Sequence, residues 1–213
     1  MADPKQSKEL AQRLVDTLPA GRPGLFNPWV DTCTTDLAHN TPQAKLERLA
    51  RHLDTRARFI LCGEAPGYQG CRHSGVAFTS ERLLGEGAIP RMPACTRLTY
   101  RARPWSEPSA TIVWGALHRL GLAHETILWN ALQMHPHRPD EPHSNRTPTP
   151  QEIALGRPAM EILLAAFPQA RVVAVGRKAQ GLLADMGVPS HAVRHPANGG
   201  AREFAQGLEQ LAH

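Results

Sequence analysis

Four short apolar runs are distributed along the 213-residue chain, and each is followed by a glycine or a polar side chain. Runs of this length are typical of strands that are buried on both faces of a parallel sheet. Segments with apolar residues at helical spacing lie between them, and this alternation predicts an α/β fold. We expect a three-layer α/β/α sandwich with a central four-stranded parallel sheet. The predicted strands span residues 57–62, 126–132, 171–175 and 190–194.

Helices are predicted from apolar spacing and from helix-breaking residues. Thr149, Pro150 and Glu152 combine an N-cap, a proline in the first turn and a capping-box carboxylate, so a helix should start there. Residues 89–108 are rich in Pro and Arg and show no period, which predicts an irregular surface segment. The predicted helices span residues 5–18, 42–53, 109–120, 150–167 and 177–187, with a further helical start at 80–84.

The size and composition of the chain indicate an ordinary globular protein. With 41% hydrophobic and 20% charged residues, a chain of this length holds a core without disulfides or metals. We expect one domain over residues 1–213, with residues 1–56 as a helical extension packed on it. No apolar run reaches the length of a membrane span, and the N-terminus lacks an apolar signal segment. The four cysteines form no C-x-x-C pair. These features predict a cytoplasmic protein without a membrane partner.

The formal net charge is +5, from 24 Lys and Arg against 19 Asp and Glu. Such a balance is compatible with an anionic partner such as nucleic acid, but it is also common in proteins that bind none. Charge alone therefore leaves both possibilities open, and the residues of a site must decide.

Unusual residues follow three of the predicted strands. The segment Gly63-Glu64-Ala65-Pro66-Gly67 comes after the first, Asn130 lies in the second, and His195-Pro196 comes after the fourth. Taken singly, each has an ordinary structural explanation as a turn or a cap. Because the carboxyl ends of parallel strands meet in one crevice, these residues together predict a ligand site.

At these residues the chain resembles the uracil-DNA glycosylase superfamily, over about residues 58–207. The resemblance is carried, in order, by GEAPG with the downstream Gly75 and Phe78, the strand residue Asn130, NRTPTPQEI, VVAVGRKAQGLL and HPANGG. It implies a base excision repair enzyme that hydrolyses the N-glycosidic bond of uracil in DNA, with other deaminated bases as further candidate substrates. No lysine matches a lyase position, so the resemblance implies a monofunctional hydrolase that leaves an abasic site.

The resemblance also implies roles for four residues. His195 would donate a hydrogen bond to uracil O2 as negative charge develops there. The amide of Asn130 would bind O4 and N3–H together, a pattern that cytosine does not offer. Phe78 would stack on the extruded base. Glu64 would orient or deprotonate the attacking water, because Ala65 stands where the best-known enzymes have a water-positioning Asp.

The remainder of the predicted base pocket comes from the same glycine-rich segment. Gly67 stands where strict uracil enzymes have a Tyr that blocks the thymine methyl group. Exclusion of thymine therefore falls to Tyr68 or to backbone, or it does not occur. The predicted pocket residues other than Phe78 and Asn130 are Gly63, Ala65, Pro66, Gly67 and Tyr68.

Contacts to DNA are predicted from loop residues. Gly199 stands about where many members carry a Leu that fills the space of the flipped base. Arg202 or Asn198 would take this role, or single-stranded DNA would be preferred, since extrusion costs least there. Arginines in loops beside the proposed crevice are candidates for phosphate contacts. They are Arg72, Arg101, Arg103, Arg138 and Arg146.

No cofactor or metal is predicted. The iron-sulfur branch of the superfamily uses cysteines where this chain has Met134 and Gly156, and the close N-terminal cysteine pair is missing too. The histidines of MHPHRPDEPH lie in a proline-rich loop without a partnering Cys or acidic motif, so we expect them to face solvent or DNA rather than a metal. They are His135, His137 and His143.

Two alternatives to the repair enzyme stay open. Ala65 favours a catalytically silent member of the superfamily that binds uracil-containing or abasic DNA without turnover. A metal hydrolase that uses the His loop is the other. For the repair enzyme we expect uracil-containing DNA as the partner, a monomeric state and a location at the nucleoid of a bacterial cytoplasm.

Overall fold

A computed structural model describes residues 4–212 of the chain. Its helices are α1 (Pro4–Val15), α2 (Pro42–Leu53), α3 (Cys71–Ser74), α4 (Glu81–Gly85), α5 (Pro108–Arg119), α6 (Pro150–Ala166), α7 (Arg177–Asp185) and α8 (Ala201–Ala212). Its strands are β1 (Leu25–Phe26), β2 (Phe59–Gly63), β3 (Thr126–Asn130), β4 (His135–Pro136), β5 (Arg171–Val175) and β6 (His191–Val193). No helix within this part of the chain is long and apolar enough to cross a bilayer.

The four predicted strands form one parallel sheet in the order β3-β2-β5-β6. Gly63, the last residue of β2, pairs with Asn130, the last residue of β3. The carboxyl ends of all four strands therefore lie along one edge of the sheet, and the predicted sheet is confirmed.

Side chains alternate between the two faces of this sheet, and each face is covered by helices. In β2, Ile60 and Cys62 belong to a buried cluster that also contains residues of α1, α2, α6 and α7. Phe59 and Leu61 belong to a second cluster with residues of α4, α5 and α8. The sheet is buried on both faces, which explains why its strands are continuous apolar runs. The predicted three-layer sandwich is confirmed.

The N-terminal helices are part of this packing. Helix α1 packs against α2 and α6, and Leu14 and Leu49 lie in the first of the two clusters. These contacts support the proposal that residues 1–56 are a helical extension of a single domain.

The helix start at Thr149 has the expected capping box. Thr149 Oγ1 accepts a hydrogen bond from Glu152 N at 3.3 Å, and the Glu152 carboxylate accepts one from Thr149 N at 2.9 Å. Residues 89–107 contain no helix or extended strand, as expected, and α5 begins at Pro108. The expectation that this segment lies on the surface is wrong for Ile89, Leu98 and Trp105, which are buried. The two-residue ribbon of β1 and β4 was not predicted, because it is too short to show a period in the sequence.

Candidate active site at the carboxyl ends of the strands

A cleft of about 410 Å³ opens at the carboxyl edge of the sheet. We call it the strand-end cleft. It brings together four predicted site residues that are distant in the sequence, Glu64, Phe78, Asn130 and His195. Its complete lining is Glu64, Ala65, Phe78, Glu107, Asn130, Val175, Gly176, Arg177, Lys178, Arg194, His195, Ala197 and Asn198.

Gly63 lies beneath two of these side chains. A Cβ atom at this position would lie 2.6 Å from Cζ of Phe78 and 2.7 Å from Oδ1 of Asn130, both far inside van der Waals contact. Only glycine fits there. The absence of a side chain at position 63 therefore allows an aromatic ring and an amide to lie together at the end of β2 and β3.

Phe78 is held in an unusual backbone conformation. Its φ is +49°, a region that non-glycine residues seldom adopt, and its carbonyl oxygen accepts a hydrogen bond from Trp114 Nε1 at 3.0 Å. The side chain is only 8% exposed, so one part of the ring packs in the core. The rest contributes to the wall of the strand-end cleft. Local strain of this kind is often found at ligand sites.

Asn130 is 5% exposed and has an available amide. Its backbone oxygen accepts a hydrogen bond from Gln133 Nε2 at 2.6 Å, which anchors the end of β3. Within residues 4–212 its side-chain amide has no hydrogen-bond partner. A buried amide with both its donor and its acceptor free is suited to a ligand that presents the complementary pair.

His195 is half-buried, and its tautomer is determined by a backbone contact. Ala197 N donates a hydrogen bond to Nδ1 at 3.1 Å, so Nδ1 is the acceptor and the neutral ring carries its proton on Nε2. Burial, with a smaller contribution from the positive charge of Arg194, lowers the pKa of His195. The ring is therefore neutral at pH 7 and has one N–H to donate. Gly176 permits its position, because a Cβ there would lie 2.9 Å from His195 Cβ.

Glu64 forms an ion pair that sequence reasoning missed. Its Oε1 lies 3.3 Å from Nζ of Lys178 near the N-terminus of α7, and the Glu64 side chain remains 28% exposed. Lys178 also donates a hydrogen bond to Thr147 Oγ1 at 3.0 Å. The sequence did contain a signal for Lys178. Gly176-Arg177-Lys178 comes directly after a buried strand, and residues at that position lie at the edge of a parallel sheet where the crevice forms.

Glu107 is another residue of the cleft that was missed. Its Oε2 is buried and has no hydrogen-bond partner among the described residues, and burial raises the pKa of its carboxyl group to about 7. A Cβ on Gly70 would lie 1.8 Å from this oxygen, so the glycine makes room for it. No pattern in the Pro- and Arg-rich sequence around Glu107 identifies it as a site residue. It precedes α5 and is brought to the cleft by the packing of that helix.

The buried carboxyl group of Glu107 should make the free energy of unfolding depend on pH. Its folded-state pKa lies above that of an exposed glutamate, so folding favours the protonated form. The stability that this protonated group contributes is fully present below about pH 4.5 and is lost as the pH rises to about 7. Glu107→Gln keeps the neutral shape. Its free energy of unfolding should exceed that of the wild type by about 1–3 kcal/mol at pH 8, with little difference near pH 4.5.

Urea unfolding of both proteins at the two pH values checks this result. Glu141→Gln, which changes an exposed glutamate in the same way, is the control. An equal effect of Glu107→Gln at both pH values would show that folding does not raise the pKa of this carboxyl group.

Four predicted pocket residues do not line the strand-end cleft: Gly63, which lies beneath Phe78 and Asn130, and Pro66, Gly67 and Tyr68. Pro66 is buried, and Gly67 faces the side chain of Asn145. The ring of Tyr68 packs edge-on against Trp105 with centroids 5.3 Å apart. Tyr68 therefore points away from the cleft, and a role of its ring in excluding thymine would require this loop to move.

The predicted phosphate contact of Arg72 is wrong. Arg72 is 4% exposed, its guanidinium lies 3.8 Å from the centre of the Phe26 ring, and it donates a hydrogen bond to His135 Nδ1 at 3.0 Å. The expectation that the His loop faces solvent or DNA is wrong for two of its three histidines. His135 and His137 are buried at 0% and 7% exposure, because β1 pairs with β4 and holds this part of the loop against the protein.

The other arginines proposed for DNA contacts lie outside the strand-end cleft. Arg146 forms a bidentate pair with Glu152, Arg138 pairs with Glu141, and Arg101 stacks on Trp105. Arg103 is exposed on the Pro- and Arg-rich segment, and Arg202 lies in a separate cleft between α5 and α8.

The cleft has cations of its own. Arg177, Lys178 and Arg194 contribute to its lining and give its rim positive charge. Among the predicted DNA-binding residues, Asn198 lines the cleft, with a φ of +53°. Gly199 follows it and is exposed.

Comparisons with known proteins agree with this fold. A family model described as the uracil DNA glycosylase superfamily matches residues 50–212. No curated protein sequence matches the chain significantly. The crystal structure of wild-type Pedobacter heparinus SMUG2 is similar, with a TM-score of 0.61 and 12% identity over 95% of this chain and 96% of that one. At this identity the structural likeness supports the fold. The family model covers far more than half of the sequence, and the chain belongs to the uracil-DNA glycosylase superfamily.

Proposed function

We propose that this protein is a monofunctional DNA glycosylase that hydrolyses the N-glycosidic bond of uracil in DNA and leaves an abasic site. Membership of the superfamily supports a glycosylase. The observation that carries the proposal is the shared lining of the strand-end cleft by Glu64, Phe78, Asn130 and His195. These side chains supply, in one place, the groups that base recognition, departure of the base and attack by water each require.

Recognition of the base is assigned to Asn130 and Phe78. The free amide of Asn130 can donate to uracil O4 and accept from N3–H, whereas cytosine presents an amino group and an unprotonated N3 at these positions. Cytosine would thus leave a buried donor unpaired. The ring of Phe78 lies beside this amide and offers a flat apolar face, and stacking of this kind contributes about 1–3 kcal/mol per base.

Departure of the base is assigned to His195. Cleavage leaves a uracil anion, and negative charge develops on its O2 in the transition state. Because Nδ1 accepts from Ala197 N, the remaining N–H of His195 is Nε2, on the side of the ring away from that contact. A neutral donor held in place before the reaction stabilises developing charge without reorganisation.

Activation of water is assigned to Glu64. Its ion pair with Lys178 holds one carboxylate oxygen, and the partial exposure of the side chain leaves room for a water at the other. A carboxylate at this place also stabilises the positive charge that develops on the sugar. Ala65 leaves Glu64 as the carboxylate of the GEAPG segment, in place of the Asp found in the best-known enzymes of the superfamily.

Contacts to the phosphates of the DNA backbone are assigned to the cations of the cleft. Arg177, Lys178 and Arg194 line it and are suited to phosphates on either side of an extruded nucleotide. Asn198 and Gly199 form an exposed turn beside His195 and are placed to enter the space that the base leaves. Action as a monomer and location at a bacterial nucleoid stay predictions.

A cleavage assay tests the proposed function. Purified protein is incubated with single- and double-stranded oligonucleotides that carry uracil, hypoxanthine or xanthine, and the products are treated with alkali. We expect the protein to remove uracil and leave an abasic site, so the DNA strand should break at that position only after alkali treatment. Binding of uracil-containing DNA without cleavage would instead establish the catalytically silent alternative. Cleavage that a chelator abolishes but that Glu64→Gln and His195→Ala both retain would establish the metal hydrolase.

Asn130→Ala tests the assignment of base recognition. Loss of a bidentate pair to the base costs about 1–3 kcal/mol, so kcat/KM for uracil should fall about 5- to 150-fold. Single-turnover cleavage measures the effect. Gln151→Ala removes an amide from an exposed position on α6 and should change nothing. If Asn130→Ala retains wild-type kcat/KM and rejects cytosine equally well, uracil is not read by this amide.

A further inference from the structure

Three potential metal ligands converge in a part of the molecule that does not line the strand-end cleft. They are Cys33 from the loop after β1, His73 from α3 and His143 from the loop after β4. The Sγ atom and one ring nitrogen of each histidine all lie within 4.8 Å of one another. Their sequence spacing matches no metal-binding motif, because the three residues come from distant segments that only the fold brings together.

The ring of His73 is oriented as in a metal ligand. Its Nδ1 lies 2.6 Å from Oδ1 of Asp36, and the other oxygen of that carboxylate lies 2.6 Å from Nζ of the buried Lys45. Nδ1 is therefore the protonated nitrogen, and Nε2 carries a free lone pair. A carboxylate that fixes the tautomer in this way is the usual outer partner of a metal-bound histidine.

His73 Nε2 has no explained role without a ligand. The side chain is 0% exposed, and this atom has no hydrogen-bond partner within residues 4–212. Leaving a buried polar atom unpaired costs on the order of 1–3 kcal/mol. The Asp36 contact at Nδ1 leaves the lone pair of Nε2 available to a ligand.

The other two groups complete a mixed sulfur and nitrogen set. Cys33 is 5% exposed, and its Sγ lies 3.3 Å from Oγ1 of Thr35. His143 is exposed, with its ring centroid 6.3 Å from that of His73. A thiolate with two neutral imidazoles is a donor set that zinc prefers.

We propose that Cys33, His73 and His143 bind one Zn²⁺ ion, with a fourth position open to solvent. Binding replaces the proton of the Cys33 thiol, which passes to solvent, and needs no redox step. Ligand atoms around tetrahedral zinc lie roughly 3.5 Å apart, so the three atoms must approach one another by about 1 Å. The exposed side chain of His143 can supply most of this movement.

The position of this site indicates a structural role. It joins two irregular loops and the short helix α3. The ring of Trp105 stacks on His73 at 5.5 Å, and the ring of Tyr68 lies 6.5 Å from His143. Tyr68 follows directly on the GEAPG segment, so the zinc ion would stabilise the loop that supports Glu64 without touching the reacting atoms.

Metal binding can be measured without any assay of glycosylase activity. The full-length protein is stripped with chelator and titrated with Co²⁺, whose visible bands and thiolate charge-transfer band report tetrahedral coordination by sulfur. We expect one equivalent to bind, displacement by Zn²⁺, and an increase in melting temperature with Zn²⁺. Protein purified without chelator should contain about one zinc per chain by elemental analysis.

Variants separate this site from adventitious binding. Cys33→Ser should abolish the charge-transfer band. His143→Ala, at an exposed position, should fold normally and weaken the affinity for metal at least about 10- to 100-fold, the range seen even for outer-sphere partners. Cys95→Ser and His191→Ala remove the same side-chain types elsewhere and should bind like the wild type. The proposal is overturned if the wild type shows no charge-transfer band, or if Cys33→Ser and His143→Ala bind metal with unchanged affinity.

Discussion

Replacing His195 with alanine is expected to lower the single-turnover rate of uracil release about 10²- to 10³-fold. Removal of one preorganised hydrogen-bond donor from the site of a developing anion has an effect of this size. The substitution removes the only N–H of the ring, since Nδ1 accepts from Ala197 N. Binding of uracil-containing DNA should change far less, because the bond strengthens mainly in the transition state.

His191→Ala is the matched control, because it removes an exposed imidazole from β6 and should leave the rate unchanged. The wild-type rate should also show no titration of His195 near pH 6.5, since burial and Arg194 lower the pKa of this ring. If His195→Ala retains the wild-type rate, the charge on the departing base is stabilised by another group.

Replacing Glu64 with glutamine should lower the rate still further, about 10²- to 10⁴-fold, the usual range for loss of a general base. The amide keeps the size of the side chain but can neither accept a proton nor carry negative charge beside the developing sugar cation. Single-turnover cleavage under saturating enzyme measures the chemical step. The substitution also removes the ion pair with Lys178 at 3.3 Å.

Glu141→Gln breaks another glutamate ion pair, the exposed one with Arg138, and should have no effect on the rate. Measured at saturating enzyme, where a weaker phosphate contact of Lys178 does not limit the rate, Lys178→Met separates the two consequences of the Glu64 substitution, because it removes the ion pair but leaves the carboxylate. A loss as large as that of Glu64→Gln would show that the pair itself is needed. An unchanged rate in Glu64→Gln would mean that water is activated elsewhere.

Several features of the fold and the site were predictable from local sequence. The four strands were found because a strand buried on both faces must be a short apolar run. The start of α6 was found because Thr149 and Glu152 satisfy each other's backbone donors, which is a local interaction. The convergence of Glu64, Asn130 and His195 followed from a general property of parallel sheets, whose strand ends share one edge.

The roles of long polar side chains were much less predictable. Arg72 looks like a surface cation in the sequence, yet it is buried between Phe26 and His135, which come from β1 and β4. Lys178 and Glu107 both line the strand-end cleft. The position of Lys178 after a strand indicates the crevice but not its ion pair with Glu64, and Glu107 belongs to no recognisable pattern. Each of these positions depends on contacts between segments far apart in the chain, and a long flexible side chain can point in several directions from the same backbone.

The sequence by itself determined the sheet, its layers and the edge at which the strand-end cleft opens, because apolar periodicity and strand-end chemistry are local properties of the chain. Only the tertiary structure decided which polar groups line that cleft, which are buried, and that Cys33, His73 and His143 meet. Those outcomes depend on how irregular loops pack, and such loops show no apolar periodicity in the sequence. Whether a side chain in them is buried depends on contacts with residues that are far away in the chain.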